Sequence, residues 1–469
     1  MKTPIFLNEE LAEKVHKASI KVLEKTGVDL NHEEAEELYL KAGAKKDQDG
    51  RILIPEGLIE EALEKASSEV QLYDREGNPS LLLKDGNNYF GPGSDALYNI
   101  DLDSWEIRDT GIEDIERNVK IADVLDFDFI MSMGLPRDID SKKLYGTIYS
   151  KMIINTSKPM VVTSTSLEDV KQMQDIASIA MGGKDVFREK PQFLAYMEPI
   201  SPLQMDHGGV ERMLYCIEND IPILYAAGAN SGTGAPITSE GGVIQGSAES
   251  LAGLVLALLK NENAKFVYGA NTASMDMKKM IVAYGSPEWA KTVAMYADMG
   301  KYYNLPSWGT AACSDAFELN AQAAWEAQES ILLAVMSETT MAHDVGYLGH
   351  GELYDPRMLV LTDEMIKRAR HITASVDMSE NSIEENLQVI DEVSRGKEIY
   401  PSHNQTFKKF RDVLWLPPDY VFKGLYREYG DVESFNELLK EEVYQALEKH
   451  NNRLSEDKVK EIKNYLSDI

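Results

Sequence analysis

From residue 88 onward the chain repeats one unit, a short apolar run rich in β-branched and aromatic residues that ends in a cluster of Gly, Ser, Thr, Asn or Pro. Eight such runs occur, at 88–91, 127–133, 159–163, 192–197, 222–226, 265–268, 306–309 and 341–347. The stretches between them are long enough for a helix. Those at 112–125, 167–181, 209–218, 247–260, 286–303 and 320–337 carry apolar residues at helical spacing. Strands that alternate with helices imply parallel strands joined by crossover helices. Strand runs that lack polar alternation imply burial on both faces. Eight units over roughly 250 residues suit a closed barrel. An open, doubly wound sheet with a dinucleotide site would place G-x-G-x-x-G directly after an early strand. The nearest matches, Gly91-Pro92-Gly93 and Gly228-Ala229-Asn230-Ser231-Gly232, lack that pattern. The expected class is therefore α/β, a (β/α)8 TIM barrel.

The flanks read differently. Residues 1–85 are expected to be mostly helical, opening with a charged amphipathic helix over 1–25 that Gly27 stops. A second helix begins near Asn31, and a third opens at Pro55-Glu56. After residue 355 the pattern turns helical again, with amphipathic stretches at 363–373 and 382–395 and a charged helical tail over 432–469. The division is thus an N-terminal helical cap (1–85), a catalytic barrel (86–355) and a C-terminal helical extension (356–469) packed on it, since no Gly-, Ser- or Pro-rich linker separates them. No apolar run approaches the ~20 residues of a membrane span, and the first 25 residues lack the apolar centre of a signal peptide. With only Cys216 and Cys313, a disulfide framework or Cys-based zinc cluster is excluded, and a cytoplasmic setting is expected. The net charge of −30 argues against nucleic-acid and membrane partners. It suits a solubilising surface or one that steers a cationic substrate.

In a barrel of this kind, active sites gather where strands end. The residues after each run are mainly amides, hydroxyls and glycines, with few carboxylates and no lysine placed for a Schiff base. H-E-x-x-H, a hydrolytic carboxylate pair and a Ser-His-Asp arrangement are all missing, so an aldolase or isomerase finds no support. Such a lining suits positioning more than proton transfer. His350 stands between Gly349 and Gly351 after the last run. It reads either as a substrate ligand or as a loop histidine bonded to backbone. Glu352 is placed to hold that histidine or a cation. His343 lies within the run and reads as a core residue, so no metal site is expected. Tyr98 offers an aromatic face to a quaternary ammonium, or else packs in a hairpin. Trp308 reads as barrel core or cavity wall, and Asp315 as cavity residue or helix cap.

The same segments carry a resemblance. Phe90-Gly91-Pro92-Gly93-Ser94-Asp95 with Tyr98, Asp109-Thr110-Gly111 before Asp114, and Gly228-Ala229-Asn230 form its first part. Gly309-Thr310-Ala311-Ala312-Cys313-Ser314-Asp315 and Asp344-Val345-Gly346-Tyr347-Leu348 continue it. Asp363-Glu364 and His403-Asn404-Gln405-Thr406 before Phe410-Arg411 complete it. Together, over nearly the whole length, the chain resembles the trimethylamine methyltransferase superfamily in its branch without pyrrolysine; the pyrrolysine position falls near Phe317. The resemblance implies a methyltransferase that takes a methyl group from a quaternary amine, such as glycine betaine, proline betaine or carnitine. The acceptor it implies is the cobalt(I) of a corrinoid (cobalamin) presented by a partner corrinoid-binding protein, with no cofactor bound tightly by this chain. In that setting Tyr98, with Phe90 or Trp308, is expected to cradle the ammonium. His350 and the amides of Gly349 and Gly351 are expected to meet a betaine carboxylate, while Asn230, Asn271 and Asp315 shape the cavity. No residue is assigned a proton-transfer role, because a quaternary nitrogen departs as a neutral amine. A homo-oligomer is expected. A tertiary-amine enzyme of the trimethylamine type and a non-catalytic quaternary-amine-binding protein are the alternatives.

Overall fold

The computed structural model describes residues 5–421 and 434–469. The first four residues of the expected N-terminal helix, and 432–433 at the start of the expected tail helix, lie outside the described residues. Seven parallel strands form the central sheet: β1 (Tyr89–Pro92), β2 (Met160–Val162), β3 (Phe193–Met197), β4 (Ile223–Ala227), β5 (Phe266–Ala270), β6 (Ser307–Thr310) and β7 (Met341–Val345). Their order is β1-β7-β6-β5-β4-β3-β2, which leaves β1 and β2 as the open ends. The eighth expected strand, 127–133, closes that gap with few regular pairs. Asp128 N–H donates to Phe90 O at 2.8 Å and Met133 N–H to Gly93 O at 2.9 Å on the β1 side. On the β2 side Ile130 N–H donates to Pro159 O, and Val161 N–H to Ile130 O, both at 3.0 Å. The barrel is therefore closed, and the architecture is (β/α)8. Each strand or closing segment is followed by a helix, ending with Pro356–Thr373 after β7.

The strands are buried on both faces, as uninterrupted apolar runs require; all five residues of β4 and of β5 are buried. Side chains that point inward recur every second residue. Phe129, Met131, Val161, Leu194, Leu224, Ala226, Val267, Trp308 and Met341 fill the barrel interior. The same cluster takes in Val70, Leu72, Leu81 and Leu83 from an antiparallel hairpin, Val70–Tyr73 with Pro79–Leu83. The expected helical cap thus runs as helices Glu9–Lys25, Glu33–Ala42 and Glu56–Lys65 and then ends in strands, because alternate apolar residues let one face of the hairpin plug the N-terminal mouth of the barrel.

One helix exceeds the apolar length expected from the sequence. Ser239–Lys260 is long and apolar enough to span a membrane, but 83% of its apolar window is buried as the crossover between β4 and β5. The C-terminal ends of the strands carry three additions. The excursions after β1 and β7 share a small sheet in which Tyr98 pairs with Leu353. A hairpin, Ser274–Asp276 with Ile281–Ala283, follows β5. The loop after β3 pairs with Asp29–Leu30 of the cap.

Candidate active site

Inward parity continues past the packed interior and builds the wall of a cavity of about 460 Å³. Above Val161 comes Thr163, above Leu194 come Tyr196 and Glu198, above Ala226 comes Gly228, above Trp308 comes Thr310, and above Met341 comes His343. All six line the cavity. Its floor is the filled barrel and its opening lies at the C-terminal ends of the strands, the usual place for chemistry in this fold. The size is ordinary for a small-molecule site.

The wall has two kinds of surface. One is aromatic: Tyr196, Tyr284, Tyr347 and Trp289. The other is acidic: Asp95, Glu198 and Asp344, with no lysine or arginine among the lining residues. Asp95 and Asp344 reach the cavity through left-handed backbone, at φ +63° and +69°, which asparagine and aspartate tolerate better than most residues. Strain of that kind at a cavity is held in place by the surrounding structure. Gly93 and Gly228 make room for the carboxylates: a Cβ on Gly93 would stand 2.6 Å from Asp344 Oδ1, and one on Gly228 3.0 Å from Glu198 Oε1.

Neutral groups attend all three acids. Thr163 Oγ1 donates to Asp95 Oδ1 at 3.4 Å, Thr310 Oγ1 to Asp344 Oδ2 at 3.4 Å, and the Tyr196 hydroxyl to Glu198. His343 lies beside Asp344, with Nε2 3.4 Å from Oδ1. Its Nδ1, 3.0 Å from Gly309 O, carries the proton that donates there. Burial pushes that imidazole down to about 3, so it is neutral. Desolvation raises the pKa of each acid. Asp344 is pushed up to about 8, mainly by burial and further by the charges of Glu198 and Asp95, with the Thr310 hydroxyl opposing. Asp95 is raised by burial alone, while Glu198 is raised by enclosure and then by Asp95. Glu198 is the exposed member of the three, wetted by the cavity and ringed by the barrel rim. Burial also keeps the Tyr196, Tyr284 and Tyr347 phenols neutral. Among the described residues, no group of three or more His, Cys, Asp or Glu is arranged to hold a metal ion.

Of the residues expected at the site, Asn230, Asn271 and Gly351 line the cavity. The others stand elsewhere. Phe90 is buried on the outer face of β1, with the Arg370 guanidinium 5.5 Å from its ring. Trp308 belongs to the packed interior below, its ring 4.2 Å from that of His343. The face of Tyr98 is taken by Arg137 at 5.4 Å, and its N–H donates to Glu352 O. Gly349 N–H is spent on Ala316 O at 2.8 Å. His350 Nδ1 is 2.9 Å from Asp315 Oδ1, which also accepts the Tyr284 N–H at 2.8 Å. That pair braces the segment carrying Tyr284 instead of facing the cavity. Phe317 packs edge-on to His350 at 5.5 Å and is more than half exposed. The expected scarcity of carboxylates is also corrected, since two of the three came from strand-end segments and the third, Asp344, lies within a strand.

The trimethylamine methyltransferase (MTTB) family matches residues 2–467. The trimethylamine methyltransferase MttB of Desulfitobacterium hafniense (strain DSM 10664 / DCB-2) is 28% identical over 382 residues, covering 81% of this chain and 76% of its own length. The glycine betaine methyltransferase of Desulfitobacterium hafniense (strain Y51) is 26% identical over 415 residues, covering 88% and 85%. Among solved structures, the Methanosarcina barkeri monomethylamine methyltransferase has a similar fold, with a TM-score of 0.53 at 15% identity over 97% of this chain and 89% of that one.

Proposed function

Because the chain belongs to the trimethylamine methyltransferase family, we propose that it moves a methyl group from a quaternary amine to the cobalt(I) corrinoid of a separate protein. The observation that carries this reading is the cavity wall: four aromatic residues and three carboxylates, with no cationic side chain among them. Aromatic faces and carboxylates are the two surfaces that attract an alkylated ammonium. In the transfer, the C–N bond breaks with its electron pair going to nitrogen, and the methyl carbon bonds to the partner's cobalt(I), which supplies the new pair. The amine departs neutral, so the chain needs no general acid for that bond. Its residues hold the cation, aim one methyl at the open end of the cavity and keep water away from it. Once the charge on nitrogen is gone the carboxylates lose their partner, which favours release of the tertiary amine.

The corrinoid enters as a second substrate carried by the partner, and this chain holds none tightly. Further copies of the chain complete the partner set, and the cytoplasm is the proposed setting; Cys216 and Cys313 are free and buried, in keeping with a reducing compartment. The 26% identical relative named for glycine betaine keeps that compound among the substrates to be tried. The test supplies purified protein with a cobalt(I) corrinoid carrier and quaternary ammonium compounds, and follows the cobalt spectrum. Methylation of the carrier by at least one of them is expected. Binding without methylation would make the chain a binding protein, and reaction with trimethylamine alone would make it a tertiary-amine enzyme.

A further inference from the structure

The charges around the cavity differ from those around other acids in the molecule. Elsewhere, buried or partly buried acids carry a cation: Asp114 has Arg108 at 2.6 Å and Arg117 at 3.0 Å, Asp355 has Arg357 at 2.5 Å, Asp363 has Lys367 at 2.8 Å and Asp128 has Arg370 at 3.1 Å. Others take backbone donors, as Asp298 does from Phe6 and Leu7, and Glu249 from Leu203. Asp95, Glu198 and Asp344 have hydroxyls and a neutral imidazole as neighbours. For Asp344, which is buried, and Asp95, which is half-buried, ionisation in that state is costly unless an outside charge joins it, while Glu198 is exposed to the cavity.

A second, independent observation shows that the wall addresses a ligand. Three lining side chains keep a buried polar atom with no hydrogen-bond partner in the protein: Asn271 Oδ1, Trp289 Nε1 and Tyr347 OH. Those side chains belong to residues 8%, 4% and 3% exposed. They offer one acceptor and two neutral donors, enough for a hydroxyl, carbonyl or amide but without a formal positive charge for a carboxylate.

Resting on the methyl-transfer reading, we infer that the substrate is a quaternary ammonium monocation with a neutral tail, and that the acids facing the cavity select it over zwitterionic betaines. A monocation supplies the one charge the wall lacks. A betaine brings a fourth carboxylate within the same 460 Å³ cavity, where it opposes the ionisation of the wall acids that the ammonium favours and finds no lysine or arginine.

The test compares near-isosteric ligands by titration calorimetry on the full chain: choline and betaine amide against glycine betaine, with tetramethylammonium as the bare headgroup. The monocations are expected to bind at least ~10-fold more tightly than glycine betaine. Asp344→Asn and, separately, Asp95→Asn are expected to shrink that ratio. Titration in two buffers of different ionisation enthalpy is expected to show proton release with choline and less with glycine betaine. Glycine betaine binding as tightly as betaine amide, or a ratio unchanged in both variants, overturns the selection. The methyl-transfer reading survives that result if glycine betaine then methylates the cobalt carrier. If no quaternary compound binds or reacts, both readings fall.

Discussion

Asp344 is held at φ +69° at the end of β7, and the residue is 6% exposed. Thr310, Cys313 and His343 surround it, and the Glu198, Asp95, Tyr284 and Tyr347 groups face it across the cavity. Its carboxyl rises from 3.8 to about 8, chiefly through burial. The folded chain therefore keeps a proton that the unfolded chain releases near pH 4. Between about pH 4 and pH 8 the folded state binds more protons, so this group lowers stability as pH rises and then levels off. Asp344→Asn is expected to raise the melting temperature of the free protein at pH 8 by roughly 2 °C or more, with a smaller gain at pH 5. Calorimetry at the two pH values checks it; a pH-independent difference would show that the carboxyl titrates normally. The affinity for choline should run the other way. It is expected to strengthen as pH climbs towards 8, where Asp344 ionises, and the variant should lose much of that slope. Stability and cation binding are thus opposed at one residue, as expected where a functional group is kept in an unfavourable place.

At the scale of elements, the barrel is a stack: a hairpin plug, a packed interior and a cavity, all laid on the same strands. Leu72 of the plug is fully buried in the interior cluster. Leu72→Ala is expected to cost ~2–4 kcal/mol by cavity formation. The choline affinity of the folded protein should change less than ~2-fold, because the packed layer separates plug from site. A large affinity loss at full folding would mean the layers are coupled. Most of this stack was legible in the sequence, since apolar runs and turn clusters mark seven strands and the closing segment. The plug was not, because Leu72, Leu81 and Leu83 belong to short strands that pair with each other but owe their burial to barrel residues far away in the chain. The cavity divides in the same way. Tyr196 and Thr310 follow from carrying inward parity to the ends of their strands, and Thr163 and Glu198 from carrying it one residue further. Asp95 and Asp344 break that parity through positive φ, and Tyr284 and Trp289 arrive on the excursion after β5. Tyr98, Phe90 and His350 stand outside the lining because proximity to a strand end does not say which way a side chain turns.

Over the whole molecule, the apolar surface is unevenly spread. Ile372, Val376, Met378, Leu387, Ile390, Ile399, Phe407, Val413, Leu414 and Leu416 are each at least half exposed, and all lie between 372 and 416. This segment leaves the barrel after helix Pro356–Thr373 and is tied back where Trp415 Nε1 donates to Glu364 Oε1 at 2.5 Å. In between, helix Glu380–Ser394 has Val389 as its one buried residue, and helix Asn404–Val413 has none. Exposed apolar side chains gathered in one segment are the mark of an interaction surface. The charges on the two helices differ in sign. Glu380–Ser394 holds five acids and no base, whereas Asn404–Val413 holds Lys408, Lys409 and Arg411 against Asp412. Within the chain the two helices already pair, with Lys409 Nζ 2.6 Å from Glu385 Oε2 and Gln405 Nε2 donating to Asn386 Oδ1 at 3.2 Å. Two copies related by a two-fold axis can bury the outward apolar faces of this pair in a self-complementary contact. The double variant Leu387→Asp with Phe407→Asp is accordingly expected to halve the mass in sedimentation analysis, or reduce it further, while leaving choline binding intact. A net charge of −30 opposes association of the remaining surfaces, so the wild-type assembly should tighten as salt is raised from low values. A wild-type protein that sediments as a monomer at every salt concentration would leave this arm to a different partner.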